Sequence, residues 1–413
     1  PAKCLDHFTH RFHAGSISGW ISDTNQWISN RVDHWRVQGK SEQLLVALSE
    51  SLKNIAQLTE DISYLLWQQL GDGCEKHAEH RFPFGRVPQA IILEAESLKR
   101  QWDALLDVSA RLVDVSEGLV DFGKDGALQS PESSIDLINA QGLEARAKQQ
   151  SAFWYSFTEQ SCEGTSSPGW ARWCKHHGNP HSLECSVSPI LPSNLLNDLL
   201  WTRTAGAVVT SATLAALGSF DRFMQSSGIP ETARWKQVSS PFDPTKAVFC
   251  VPKMNSEPSD SQAHSLELIK LIPHLIESDI GVLILFTSRK QMDTVLSGLQ
   301  ECLQHQMLVQ GQANKSVLMN QHRTNVEKGK ASAIFGLASF FEGIDLPGDY
   351  CQHVVISKLP FPVPDDPIAA AHAEFLEAQG RNPFMEISVP DASQGLLQAS
   401  GRLLRTETDE GKI

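Results

Sequence analysis

Apolar positions in the first third of the chain recur at three- and four-residue steps. Ile17, Trp20, Ile21, Trp27, Ile28, Val32 and Trp35 line one face of a predicted helix. A second helix is predicted from an N-cap at Ser41 through Leu44, Leu45, Leu48, Leu52, Ile55, Leu58, Ile62 and Leu65 to Gly71. Third and fourth helices are predicted over Ala90 to Val115 and Ile135 to Phe157, with polar, Gly-containing connections at 71–86 and 118–132. This pattern reads as a helical bundle. After about residue 180 the period changes. Short apolar runs at Ala207–Thr210, Val248–Val251, Val282–Phe286, Met307–Val309, Ala333–Phe335 and Val354–Ile356 alternate with helical stretches, as in a parallel α/β sheet covered on both faces.

With 413 residues, 41% hydrophobic and 20% charged, the chain can bury more than one core, so two or three domains are expected and disorder is excluded. No apolar run reaches the roughly 18 residues of a membrane span, so a soluble protein is predicted. All ten tryptophans fall at or before Trp235, setting the segment from about 240 onward apart. The net charge of −13 argues against nucleic-acid binding only if it is spread evenly. It is not: residues 87–145 hold 4 Lys and Arg against 11 Asp and Glu, so −7 of the −13 sits in one helical stretch. Pro1 in place of an initiator Met, with neither the basic flank nor the apolar core of a signal peptide, predicts an internal piece of a longer protein. The far end agrees, since Glu410 to Ile413 reads as the start of a strand. Eight cysteines without a C-x-x-C pair suit reduced thiols in a cytoplasmic protein.

Chemistry concentrates near the C-terminus. On a continuous helix Gln398, Arg402 and Arg405 would stand at i, i+4 and i+7, with Leu396, Leu397, Leu403 and Leu404 behind them. Two guanidiniums and an amide on one face suit the charge of a transferring γ-phosphoryl group, against the plainer reading of a solvated basic face. Gly336 to Gly348 is a Gly-punctuated acidic loop after a strand, where open α/β sheets bind ligands. Thr210-Ser211-Ala212-Thr213 and Thr287-Ser288-Arg289 each follow an apolar run with small hydroxyl residues, which suit phosphate oxygens.

Together these segments resemble superfamily 2 helicases of the XPD/DinG type. Thr210 to Thr213 is similar to motif III, Phe286-Thr287-Ser288 to motif IV, Gly336 to Gly348 to motif V, and Gln398 to Arg405, including Gly401, to motif VI. Ser240-Pro241-Phe242, Leu308-Val309-Gln310-Gly311, and Lys358-Leu359-Pro360-Phe361 with Asp365-Asp366-Pro367 are further marks of the family. Over 1–180 the likeness rests on position, helical content and the opening Pro1-Ala2-Lys3. The resemblance implies a helical Arch-like insertion over 1–180, the end of a first RecA-like domain over 181–235, and a second RecA-like domain, of P-loop NTPase fold, over 236–413. It implies an ATP- and Mg²⁺-dependent 5′–3′ DNA helicase, a monomer acting on single strands and on forked or DNA–RNA duplexes. Arg402 and Arg405 would reach the γ-phosphate, Gln398 would sense nucleotide, and Glu342, Gly343 and Asp345 would link nucleotide to the DNA track. Thr210, Ser211 and Thr213 would couple cleft to domain movement, and Thr287, Ser288, Arg289, Ser339 and Lys358 would meet phosphates of the strand.

The chain departs from the family in lacking a G-x-x-x-x-G-K-[ST] P-loop. Gly39-Lys40-Ser41 has His34 where the first Gly should stand and no strand before it, so a turn is expected. Asp409-Glu410-Gly411 is expected to be a surface turn. By resemblance, the P-loop lysine, the DEAH box and the cysteines of a 4Fe–4S cluster lie upstream of Pro1. Cys162, Cys174, His176, His177, His181 and Cys185 lack knuckle spacing, so no metal is expected on them. Of the tryptophans, those on the first helix are expected in the core, and Trp170 and Trp173 in a loop packed on the helices. A degenerate nucleic-acid-binding or scaffold module and an RNA helicase remain alternatives, separated from the first reading by the upstream sequence and by substrate comparison.

Overall fold

The four helices read from the 3.6-residue period are present as Ala14–Val37, Glu42–Leu70, Gln89–Glu117 and Pro131–Thr158. The computed structural model describes residues 2–37, 42–70, 79–117, 131–159, 168–276, 280–300, 303, 307–341, 344–362 and 366–413. Side chains of 2–4, 32–37, 42, 131–133, 338 and 341 are outside that description. Gly39-Lys40-Ser41 therefore lies outside the described residues. The chain divides into two units: Pro1–Leu196 with Pro364–Arg381, and Asn197–Val363 with Asn382–Ile413.

In the first unit the helices close on fully buried Ile17, Leu48, Leu52, Trp102 and Trp154. Trp20 stacks on Trp102 at 5.7 Å between ring centroids, so the stripe on the first helix is core where it is described. The pattern did not show a four-stranded antiparallel sheet that accompanies the helices. It comprises β1 (His10–His13), β2 (Glu79–Arg81), β3 (Trp170–Lys175) and β4 (Glu184–Pro189), in the order β1-β4-β3-β2. Trp170 and Trp173 thus sit on a central strand and not in a loop, because β3 is paired along its whole length with β4. Arg172, 2% exposed, points into the unit and donates to the carbonyls of Gly85 (2.8 Å), Ser156 (2.7 Å) and Glu159. Burial pushes its guanidinium down to about 10, still charged at neutral pH. Helix Pro367–Ala378 packs here too, with Glu374 accepting from Arg81 Nη2 and the Phe84 N–H, both at 2.6 Å.

Cys174 and Cys185 face each other across β3 and β4, both fully buried, with sulfurs 3.0 Å apart. Both are free thiols, and burial pushes the Cys185 thiol well up. His176 is buried edge-on against Trp67, and Cys162 lies outside the described residues. Among the described residues no three His, Cys, Asp or Glu side chains are grouped to hold a metal ion.

The second unit is a six-stranded sheet of β5 (Ala247–Val248), β6 (Gly281–Leu285), β7 (Met307–Val309), β8 (Ser332–Gly336), β9 (His353–Ile356) and β10 (Gly411–Lys412). The order is β5-β10-β9-β6-β8-β7, and each pairing is parallel. β6 and β8 are buried throughout because alternate residues serve two cores. Val282, Ile284 and Phe335 enter one; Leu283, Leu285, Ile334 and Val354 enter the other. Gly281 is required at the start of β6, since a Cβ would lie 2.2 Å from the Asp349 carbonyl oxygen.

Two expected strands differ. Ala207 to Leu214 is irregular and Val208 is 94% exposed, because no described strand pairs with this run and an isolated strand leaves its backbone groups unmet. The strand at 248 ends after two residues, with Val251 78% exposed beyond the sheet edge.

Candidate nucleotide- and nucleic-acid-facing site

Parallel pairing sends the ends of β6, β7, β8 and β9 to one edge of the sheet, and most residues singled out from the sequence sit there. After β6, Ser288 caps helix Arg289–Gly298 by accepting from the Gln291 N–H. Arg289 Nη1 donates to the Gln310 carbonyl at 3.1 Å. Gly311 follows in the left-handed region (φ +100°), where a Cβ would also come within 3.1 Å of that guanidinium. Gln310 then ties two strand ends together. Its Nε2 donates to Ser339 Oγ at 2.9 Å and its Oε1 accepts from the Leu337 N–H at 2.7 Å. Lys315 Nζ donates to the Ser339 carbonyl at 2.6 Å. Gln310 and Lys315 carried no assigned role in the sequence; Leu308-Val309-Gln310-Gly311 was the available signal, and its meaning depends on the neighbouring strand.

At the adjoining ends of β6 and β9, Thr287 Oγ1, Ser357 Oγ and Gln291 Oε1 are buried without a hydrogen-bond partner. Ser357 is only 7% exposed. A buried hydroxyl without a partner costs about 1–3 kcal/mol, which a polar ligand would offset. Gln291 Nε2 stands 2.9 Å from His264 Nδ1. Burial first, then the nearby Lys358 ammonium, holds the His264 imidazole below its usual range, so it is neutral at pH 7.

The arginine segment is arranged otherwise than a straight helix would place it. Helix Val389–Ser400 ends at the C-cap Gly401, and Arg402 and Arg405 lie in the turn beyond. A helix would have spread them over one face; the turn brings both to a single atom. Arg402 Nη1 and Arg405 Nη2 donate to the Ile344 carbonyl at 2.7 and 2.9 Å. Leu403 is fully buried beneath them, whereas Leu397 is 52% exposed and does not pack behind. The Asp345 carboxylate, mostly exposed, lies 3.8 Å from Arg405 Nε. Two guanidiniums thus converge on one carbonyl oxygen, with Arg402 Nε also donating to the Gln398 carbonyl at 3.1 Å, an arrangement of fixed forks whose geometry suits an oxyanion. Glu342 and Gly343 lie outside the described residues. A depression of about 570 Å³ lined by Lys315, Asn320, Arg323, Ile344 and Asp345 adjoins the same loop.

Gln398 Nε2 reaches Thr213 Oγ1 at 3.4 Å, and Gln394 Nε2 the Thr213 carbonyl at 3.2 Å. The structure therefore joins Thr213 to the arginine helix, while Thr210 and Ser211 remain exposed. Asp409 is not a surface turn but 6% exposed, accepting from the N–H groups of Arg405 (2.7 Å), Thr406 (2.8 Å) and Gly348 (3.2 Å) and from the Thr406 hydroxyl. Burial pushes its carboxyl up, but the bonds from Thr406, Arg405 and Gly348 outweigh burial and leave it below the usual range. A carboxyl depressed on folding contributes stability above its unfolded value, near 4, and loses it as pH falls through the folded value. Asp409→Asn is expected to destabilise the chain by about 1–2 kcal/mol at pH 7. In thermal melts the gap to wild type should persist above about pH 5 and close towards pH 3.

Comparisons with known proteins point to helicases. Residues 272–413 match the helicase C-terminal domain family. The chain is 32% identical to the ATP-dependent DNA helicase DinG of Photobacterium profundum, over 97% of its own length and 58% of that protein. It is 31% identical to the DinG helicase of Escherichia coli (strain K12) over 82% of itself and 47% of that protein. It thus spans about half the length of these relatives. Among solved structures, that of S. tokodaii Xpd4 matches over the whole chain with a TM-score of 0.48 at 13% identity, covering 68% of that protein. The chain is thus similar to DinG helicases along nearly all its length, and its last 142 residues match the helicase C-terminal domain family.

Proposed function

We propose that this chain is the distal part of an ATP-dependent 5′–3′ DNA helicase, with an Arch-like insertion over 1–180, the end of a first RecA-like domain over 181–235 and a second RecA-like domain over 236–413. The observation that carries the reading is the meeting of Arg402 and Arg405 at the Ile344 carbonyl, on the loop that follows β8. From there the two guanidiniums serve the γ-phosphate of an ATP whose P-loop and Mg²⁺ ligands lie on another lobe. Gln398 relays the nucleotide's presence to Thr213, and Asp345, with Glu342 and Gly343, links it to the DNA track. Thr287, Ser288, Arg289, Ser339 and Lys358, aided by Gln310, form that track along the sheet edge, with Thr210 and Ser211 coupling to movement. Hydroxyls, an amide and fixed cations in this arrangement suit a phosphate backbone more than base edges.

The four cysteines whose side chains are described do not fit a 4Fe–4S cluster. Cys174 and Cys185 are spent on each other in the first unit's core; in the second unit Cys351 is buried with its thiol pushed up to about 12 and Cys250 is exposed.

The purified 413-residue chain is expected to bind a fluorescein-labelled dT oligonucleotide in anisotropy titrations, with affinity falling as salt rises. Arg289→Ala and Lys358→Ala should each lower the slope of log K against log salt by about 1. Absence of binding at low salt, or preference for an RNA strand of the same sequence, would overturn the DNA-track reading.

A further inference from the structure

The loop after β9 carries a feature that the phosphate track does not use. Three residues beyond Lys358, Phe361 lies 41% exposed and stacks on Phe384, 53% exposed, with ring centroids 5.5 Å apart and planes at 27°. Leu359 and Met385 beside them are 54% and 56% exposed. The pair is held from beneath. Pro360 packs so closely on Gly395 that a Cβ there would meet it at 2.9 Å, and the Phe361 N–H closes a tight turn on the Leu359 carbonyl at 2.9 Å. On the other side Phe384 opens a turn of π-helix, its N–H bound by Asn382 Oδ1 at 3.0 Å, and Ile387 anchors that turn in the core. Two rigidly mounted rings in solvent, stacked and not buried, are unusual for side chains that otherwise go to a core.

Building on the DNA-track reading, we infer that Phe361 and Phe384 form a base-stacking platform for a single strand whose phosphates run along the adjoining sheet edge. The occupant follows from what borders the rings. Lys358, three residues away on the same loop, is a cation, and Ser357 and Thr287 at the same strand ends carry buried hydroxyls without partners. Apolar flat surface beside a cation on the same loop matches a nucleobase with its phosphate. A base would add a third ring to an existing stack, with no need to part the two phenylalanines. Because every base has a π face, this platform would hold the strand without reading sequence, as a translocating motor requires.

The test titrates the full chain with a labelled dT oligonucleotide and with an abasic strand of the same length. Wild type should bind the dT strand roughly tenfold more tightly. Phe361→Leu with Phe384→Leu, which keeps apolar bulk and loses the rings, should lower affinity for dT to the abasic level, leaving abasic affinity and the salt slope unchanged. Phe361→Tyr should retain the preference. Equal binding of both strands by wild type, or a preference that survives loss of both rings, overturns the platform while the track stands. Binding of neither strand overturns the track itself. A dimer in sedimentation that the Leu variants dissolve would assign the rings to a second copy of the chain and also overturn the platform.

Discussion

Arg402→Ala in the full-length protein is expected to lower DNA-stimulated ATP turnover by about 10³-fold or more, with single-strand affinity within a few-fold of wild type. The expectation follows from where the guanidinium ends. Arg402 and Arg405 meet at one carbonyl oxygen on the loop after β8, so both forks are held in place before any nucleotide binds. Charge developing on a transferring phosphoryl group is stabilised only by donors already in place, so deletion of one should affect turnover far more than KM. Arg402→Lys should rescue little, because an ammonium cannot hold the Ile344 carbonyl and an oxyanion with the same fork. Turnover within tenfold of wild type in Arg402→Ala would remove the residue from the chemistry. The same logic predicts that the 413-residue chain, which contains no G-x-x-x-x-G-K-[ST] sequence, shows no steady hydrolysis of its own.

The largest expected effect on stability lies in the first unit, at Arg172. Its guanidinium bridges β3, the turn at Gly85 and the end of helix Pro131–Thr158 through three carbonyls, at 2% exposure. Leucine at this position would fit the apolar surroundings but orphan those carbonyls, so Arg172→Leu is expected to destabilise the unit by about 3 kcal/mol or more. Urea unfolding followed by tryptophan fluorescence reports on this unit, since eight of the ten tryptophans lie before residue 197. The midpoint should fall with the slope unchanged. A shift of less than about 1 kcal/mol would show that water replaces the guanidinium without cost. Arg172→Lys should recover only part of the loss, because one ammonium cannot span three acceptors around a planar fork.

Period and punctuation were legible along the chain wherever a segment's fate depends on its own residues. The four long helices, the strands at 282, 307, 333 and 354, and the strand start at Gly411 follow from local alternation and were read to within a few residues. The antiparallel sheet of the first unit was not legible. Its strands are three to six residues long, and β2 and β3 are brought together from positions almost a hundred residues apart. Ala207–Thr210 shows the converse: a run with strand composition stays irregular because composition does not supply a hydrogen-bonded neighbour.

The sequence alone determined which residue types the candidate site draws on, since guanidiniums, hydroxyls and an amide near apolar runs are groups that suit phosphate oxygens. Tertiary structure decided how they meet. Helical spacing placed Arg402 and Arg405 on one face, yet the helix stops at Ser400 and the turn beyond it, tied by Asp409, aims both at Ile344, 58 and 61 residues away. Gln310 acquires its role only because β7 lies beside β8, and Asp409 becomes a buried acceptor only because Gly348 reaches it from another loop. The reason is physical: periodicity records what a residue does with neighbours three or four positions away, whereas a site is made by groups whose partners are distant in sequence and fixed by packing.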